Sequence, residues 1–195
     1  MISDFDNITG IILAGGASRR MGRDKSHLAF GDTTFIENLV QQLQRVTNKV
    51  IIVSDRHDYD YLKIPVIKDH FKNSGPLAGI HAGLTKSATK INLILPNDMP
   101  LVTFELLREV LKNFDYSYDA LWCMNDAQEI PLLGVYKKKM ADQCKLLLDQ
   151  NEKRLLQLNM VGKIQKFSIE KKFIKEVQNI NTPEQYERIH HGYNN

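Results

Sequence analysis

Apolar positions in the first half of the chain alternate between two spacings. Ile8 with residues 11–13, then residues 50–53, 64–67 and 91–95, form short apolar runs rich in β-branched side chains. That is the pattern of strands buried on both faces of a parallel sheet. Between the first two runs, Phe35, Ile36, Leu39, Val40, Leu43 and Val46 recur at three- and four-residue steps, the stripe of a helix lying on a sheet. Thr34 and Glu37 stand at capping-box spacing in front of it, and Asn48-Lys49 closes it. Residues 74–84 read as a second helix, with Pro76 at its start and Gly79 and Gly83 on one face. Thr103 caps a third, which carries Leu106, Leu107, Val110, Leu111 and Phe114 on one side. Strand–helix–strand succession of this kind gives parallel pairing through right-handed crossovers.

The second half is less regular. Residues 119–124 and 130–136 read as strands, 137–148 and 151–160 as helices, and 164–167 and 173–177 as short strands. A last helix begins at Thr182, with Pro183 in first position and Gln185 completing a capping box. The expected fold is α/β: a single-domain, doubly wound, mostly parallel sheet with helices on both faces, spanning residues 1–195. At 195 residues with 43% hydrophobic content, one buried core fits and two full domains would be cramped. In such sheets the ligand crevice lies at the carboxyl ends of the strands. The loop after Leu13, Asp69 and Asp98 all fall at such ends.

The chemistry concentrates in the first of these loops. After Leu13 the chain reads Ala14, Gly15, Gly16, Ala17, Ser18, so backbone N–H groups can approach an anion without bulky side chains intervening. Arg19, Arg20, Arg23 and Lys25 follow. A Gly-rich turn leaving a buried strand, backed by four cations, suits a polyphosphate. It is not a P-loop, because five residues separate Gly16 from Gly22 and Lys25 comes three later. Nor is it a dinucleotide fingerprint, since its first two glycines are adjacent. Lys25 is expected to neutralise phosphate charge, with Arg19 assisting through forked hydrogen bonds. Asp98, held between Pro96 and Pro100, suits a magnesium ion that takes one or two carboxylates and completes its shell with phosphate and water.

Charge and composition narrow the partners. The net charge of +3 is mild and suggests no nucleic acid; the basic runs at 137–139 and 171–172 read as solvated surface. The polar, acidic start is unlike a secretory signal, and no apolar stretch approaches the ~20 residues that span a bilayer. Cys123 and Cys144 have neither metal-ligand spacing nor a disulfide framework. A cytoplasmic protein without membrane partners is expected.

The segment from Leu13 to Lys25 resembles the L-A-G-G-x-S-x-R-M-G-x-D-K signature of nucleotidyltransferases, above all the molybdenum cofactor guanylyltransferases, through Leu13, Ala14, Gly15, Gly16, Ser18, Arg20, Met21, Gly22, Asp24 and Lys25. Residues 75–79 match the family's G-P-L-A-G, 96–100 its P-x-D-x-P, and 179–183 its N-I-N-T-P segment. The resemblance implies a nucleotide-diphospho-sugar transferase-like fold. It also implies transfer of GMP from GTP to the phosphate of a molybdopterin-type cofactor, with pyrophosphate released. It assigns magnesium to Asp98, nucleotide contacts to Asp69 and Gly79, and base and sugar contacts to the main chain of Leu13, Ala14 and Gly15, with Gly16 alongside. Asn179 and Asn181 fall near the transferred group, and cofactor-synthesis and acceptor enzymes become possible partners. A phosphate monoester is largely ionised near neutral pH, so the attacking group needs no general base.

Two departures stand out. Relatives often carry Asn where this chain has Val53, with Ser54 next to it, and His-Pro where it has Ile130-Pro131. Three other readings compete. A cytidylyltransferase acting on the same cofactor would usually read L-A-A-G in the first loop, where this chain has Gly15. A sugar-nucleotide pyrophosphorylase would be longer. A non-catalytic nucleotide-binding carrier would have less use for Asp98 and Lys25.

Overall fold

β1 (Ile8–Leu13) is buried at every position, as its apolar run requires, and lies inside the sheet with a parallel neighbour on either side. The structure is a computed structural model that describes residues 7–15, 25–56, 58–71 and 74–193. After β1 the described chain resumes in a 3-10 turn, Lys25–His27, and a small hairpin, β2 (Ala29–Phe30) and β3 (Thr33–Thr34). α1 (Phe35–Gln44) follows, with its capping box formed: Glu37 N–H donates to the Thr34 hydroxyl at 3.4 Å, and Thr34 N–H donates to the Glu37 carboxylate at 2.7 Å. Next come β4 (Lys49–Val53), β5 (Val66–Ile67), α2 (Gly75–Lys86), β6 (Ile91–Pro96) and α3 (Phe104–Lys112). The second half supplies β7 (Ala120–Asn125), β8 (Gln128–Lys137), α4 (Met140–Asp149), the single-turn α5 (Leu158–Val161), β9 (Ile164–Ser168) and α6 (Pro183–Tyr193).

Among the described residues the main sheet has seven strands in the order β5-β4-β1-β6-β8-β7-β9. Every pairing is parallel except those of β8, which runs against both β6 and β7. Side chains alternate between two cores. Ile12, Ile52, Leu93 and Leu95 pack with α1 and α3 on one face, while Ile11, Leu13, Val53 and Ile94 pack with α2 and α4 on the other. The expected doubly wound α/β sheet with both faces covered is what forms.

Three local expectations fail. Residues 173–177 are part of a 3-10 segment, Lys171–Val177, rather than a strand. Phe173 and Val177 are buried but Lys175 between them is exposed, whereas a strand would turn all three to one side. Residues 151–160 are not one helix, because Asn151 ends α4. It adopts left-handed φ 58°, and N–H groups of Asn151 and Glu152 donate back to the carbonyls of Leu148 and Leu147, both at 2.9 Å. That is a Schellman stop with Asn in the glycine position. Lys137 closes β8 instead of opening α4.

Two substitutions on α1 separate packing from capping. Leu39→Ala, at a site with no exposed surface, should cost about 2–5 kcal/mol, and Thr34→Ala about 1 kcal/mol. Urea unfolding measures both; a capping loss as large as the packing loss would show that the helix is not held chiefly by its buried stripe.

Candidate active site

The registers of β1, β4, β5 and β6 bring the carboxyl ends of these four strands level. Leu13 stands opposite both Val53 and Pro96, and Val53 stands opposite Ile67. Backbone hydrogen bonds extend the alignment one residue into the loops. Ala14 N–H donates to the Val53 carbonyl at 2.9 Å, Ser54 N–H to Ile67 at 2.9 Å, and Asn97 N–H to Leu13 at 3.1 Å. The loops after β1, β4, β5 and β6 therefore leave the sheet side by side, the place where a doubly wound fold opens its crevice.

A cleft of about 670 Å³ occupies that edge. Leu13, Ala14, Gly15, Asp69, Gly79 and Asp98 all line it, so six residues expected at the nucleotide site converge there. Gly16 and Arg19 lie outside the described residues, as does the side chain of Lys25, whose backbone opens the 3-10 turn. The described part of the loop after β1 reaches the cleft at Gly15, which lines it together with Asp98. Sequence reasoning missed Ser54, Asp55, Arg56, Asn97 and Leu132, which also line the cleft. Ser54 is buried, receives the Arg56 N–H at 3.2 Å, and its hydroxyl donates to the Ala14 carbonyl at 3.4 Å. It thus ties the loop after β4 to the loop after β1, beside the Val53 departure.

Two glycines on α2 do different jobs. A Cβ on Gly83 would come within 2.7 Å of Ile11, so that glycine lets the helix sit close to β1. A Cβ on Gly79 would meet Leu13 at 3.4 Å, an ordinary contact, and the residue borders the cleft. Gly79 therefore keeps the cleft wall low. Gly75, at φ 67°, starts the helix from a left-handed conformation that suits glycine.

A second cleft of about 560 Å³ adjoins the first through shared Pro96, Asp98 and Leu132. Its far wall comes from the chain's end, including Asn179 and Arg188, and from Glu129, Ile130 and Pro131 of β8. Ile180 N–H donates to the Asp98 carbonyl at 2.8 Å and pins this wall to the Asp98 turn. The expected capping box of α6 holds the same segment: Gln185 Oε1 accepts N–H groups of Asn181 at 2.7 Å and Thr182 at 3.1 Å. Asn179 and Asn181 are therefore split, the first on the cleft and the second engaged through its backbone in the helix start.

Among the described residues, no group of three or more His, Cys, Asp or Glu side chains is arranged to hold a metal. Three carboxylates line the cleft, Asp55, Asp69 and Asp98, and of these Asp98 is partly buried, stands between two prolines and also borders the second cleft. Asp98 fits a hard divalent cation that takes most of its oxygens from phosphate and water.

Asp69 is electrostatically unusual. Burial raises its pKa, and the nearby Asp55 adds to the rise, although the Phe71 N–H donates to its Oδ1 at 2.6 Å and opposes it. A carboxyl whose folded pKa is raised contributes stability below its unfolded pKa and loses it as pH rises through the folded value. Asp69→Asn keeps an oxygen for Phe71 but carries no charge. Relative to wild type it should therefore gain stability between about pH 3 and pH 7 in urea unfolding. A difference that does not change with pH would contradict the assignment.

Residues 10–165 match the MobA-like NTP transferase domain. A probable molybdenum cofactor guanylyltransferase of Flavobacterium johnsoniae is 31% identical over 93% of this chain and 95% of its own length. One from Bacillus cytotoxicus is 30% identical over 94% and 96%. Among solved structures, molybdopterin-guanine dinucleotide biosynthesis protein A from Archaeoglobus fulgidus superposes with a TM-score of 0.78 at 25% identity, over 93% of this chain and 96% of that one. The fold extends to 4-diphosphocytidyl-2C-methyl-D-erythritol synthase from Anaerococcus prevotii, with a TM-score of 0.75 at 15% identity over 98% and 100%. The sheet order, the cleft at its carboxyl edge and the family match agree: this chain belongs to the MobA-like NTP transferases.

Proposed function

We propose that the chain transfers GMP from GTP to the phosphate of a molybdopterin-type cofactor, forming the guanine dinucleotide and releasing pyrophosphate. The observation that supports this best is the position of Asp98 on the border of two adjoining clefts. Nucleotidyl transfer needs two anionic substrates brought end to end, and a carboxylate-held cation at their junction. The nucleotide takes the first cleft, with its base against Leu13, Ala14, Gly15 and the low wall at Gly79. The acceptor takes the second cleft, bounded by Asn179, Arg188 and the Ile130-Pro131 departure.

In this reading an oxygen of the acceptor phosphate attacks the α-phosphorus of GTP. The bond from that phosphorus to the bridging oxygen breaks, and the electron pair leaves with pyrophosphate. The barrier is largely electrostatic, since two anions approach while charge builds on the leaving oxygens. Members of the family generally use a divalent metal, and here magnesium on Asp98 would neutralise phosphate charge. Asp98 holds and orients, Lys25 and Arg19 offer cations to the phosphates, and the backbone from Leu13 to Gly16 reads the base and sugar. Asp69 completes the nucleotide contacts. Among the described residues no histidine lines either cleft, which fits an acceptor that is already ionised.

Pyrophosphate release with GTP, magnesium and the pterin acceptor tests the reading. Asp98→Ala should lose about 100-fold or more in rate, with GTP binding weakened less; wild-type turnover in that variant would remove the assignment. With GTP and CTP in competition, turnover should follow GTP, and preferred use of CTP would move the chain to the cytidylyltransferase reading. Gly79→Leu probes the cleft wall. It replaces a poor helix former, so α2 should gain about 1 kcal/mol of intrinsic helix preference. GTP affinity should nevertheless fall about tenfold, and unchanged affinity would place the base elsewhere.

A further inference from the structure

The first residue after Lys25 is a serine with no exposed surface, Ser26. Its Oγ accepts two hydrogen bonds, one from Asn97 Nδ2 at 2.8 Å and one from the hydroxyl of Tyr59 at 2.9 Å. Asn97 directly precedes Asp98, and its own N–H donates to the Leu13 carbonyl. Tyr59 is itself fully buried, and its ring stacks on His27 with centroids 5.5 Å apart. His27 in turn lies 3.0 Å from the Asp58 carboxylate. One small hydroxyl therefore joins three segments that the sheet does not connect directly: the exit of the basic loop, the turn that carries Asp98, and the stretch after β4.

We infer that Ser26 is a positioning residue that fixes the distance between the Lys25 end of the phosphate loop and the Asp98 turn. This rests on the nucleotidyl-transfer reading above. The physical reason is asymmetric. A serine side chain adds little apolar burial, but its loss removes the acceptor shared by the part-buried Asn97 Nδ2 and the buried Tyr59 hydroxyl. The Asn97 side chain is then released, and with it the lateral restraint on its neighbour Asp98. Ser26 is not among the residues that line the first cleft, so the base-binding wall of Leu13, Ala14, Gly15 and Gly79 should be unaffected. A shift of well under a bond length in a catalytic group is felt in rate before it is felt in binding.

The test uses the full-length enzyme and four variants: Ser26→Ala, Tyr59→Phe, the double variant, and Asp98→Ala. Ser26→Ala should lower kcat about tenfold and raise the magnesium concentration for half-maximal rate about threefold. GTP affinity measured without metal should stay within about twofold of wild type. Tyr59→Phe, which removes one of the two donors, should give a smaller loss in the same direction. The double variant should be no worse than Ser26→Ala alone, the non-additivity expected of one shared network. If Ser26→Ala fails to fold, Tyr59→Phe carries the test with the same magnesium shift. The inference is overturned if kcat and the magnesium curve of Ser26→Ala match wild type, or if kcat falls only in step with thermal stability at unchanged magnesium dependence. Independent, multiplying effects in the double variant overturn it too. Asp98→Ala separates two failures: an inactive Asp98→Ala beside a fully active Ser26→Ala overturns the positioning role alone, whereas an active Asp98→Ala overturns the site reading beneath it.

Discussion

The level ending of the parallel strands is the constraint on which the rest depends. Leu13, Val53, Ile67 and Pro96 form one row across the sheet, and the main chain just beyond that row stays hydrogen-bonded. Backbone geometry, not side-chain contact, thus sets the loops after β1 and β6 beside one another. Buried backbone groups must be paired, so satisfying the Asn97 N–H with the Leu13 carbonyl also fixes where Asp98 can stand. Two cores hold the row rigid from either side, one under α1 and α3, the other under α2 and α4. A ligand meeting this edge finds a frame with little freedom to rearrange, which suits chemistry that works by orientation.

The end of the chain completes the arrangement. The Ile180 N–H reaches back to the Asp98 carbonyl, so the last segment before α6 closes the second cleft against the first. Asp98 is held on its main-chain side by this contact and on the preceding residue by Leu13 and Ser26. Such restraint matters most where the protein offers a cation few ligands. Where three or four protein ligands share a cation, each can be imprecise; where one supplies the protein's share, its position decides the geometry.

Much of this was legible from the sequence, and the failures have physical causes. The strands and helices of the first half were plain because β-branched runs and three-four spacing report directly on burial, and Thr34, Thr103 and Gln185 announced their caps. The convergence of Leu13, Gly15, Asp69 and Asp98 followed from their places at strand ends, whereas Gly79, inside α2, was picked out by the G-P-L-A-G match. Asn151 was misread because the left-handed conformation is usually glycine's, and a helix stop made by Asn looks like a helix start. The 3-10 segment around Phe173 was misread because aromatic and β-branched residues favour strands until tertiary burial overrides them. Ser26, Ser54, Arg56 and Asn97 carry no periodic or motif signal. Their roles come from partners up to 71 residues away, as for Asn97 and Ser26, and only the folded chain brings those together. The second cleft escaped for the same reason, since β8 and the segment before α6 meet Asp98 only through the sheet order.

A crystal structure with GTP and magnesium bound tests the central claim most directly. The account expects the guanine against Leu13, Ala14 and Gly79, the α-phosphate beside Asp98 with the cation between them, and the second cleft open toward that phosphorus. A nucleotide bound away from the carboxyl edge of the sheet, or an α-phosphate far from Asp98, would contradict it.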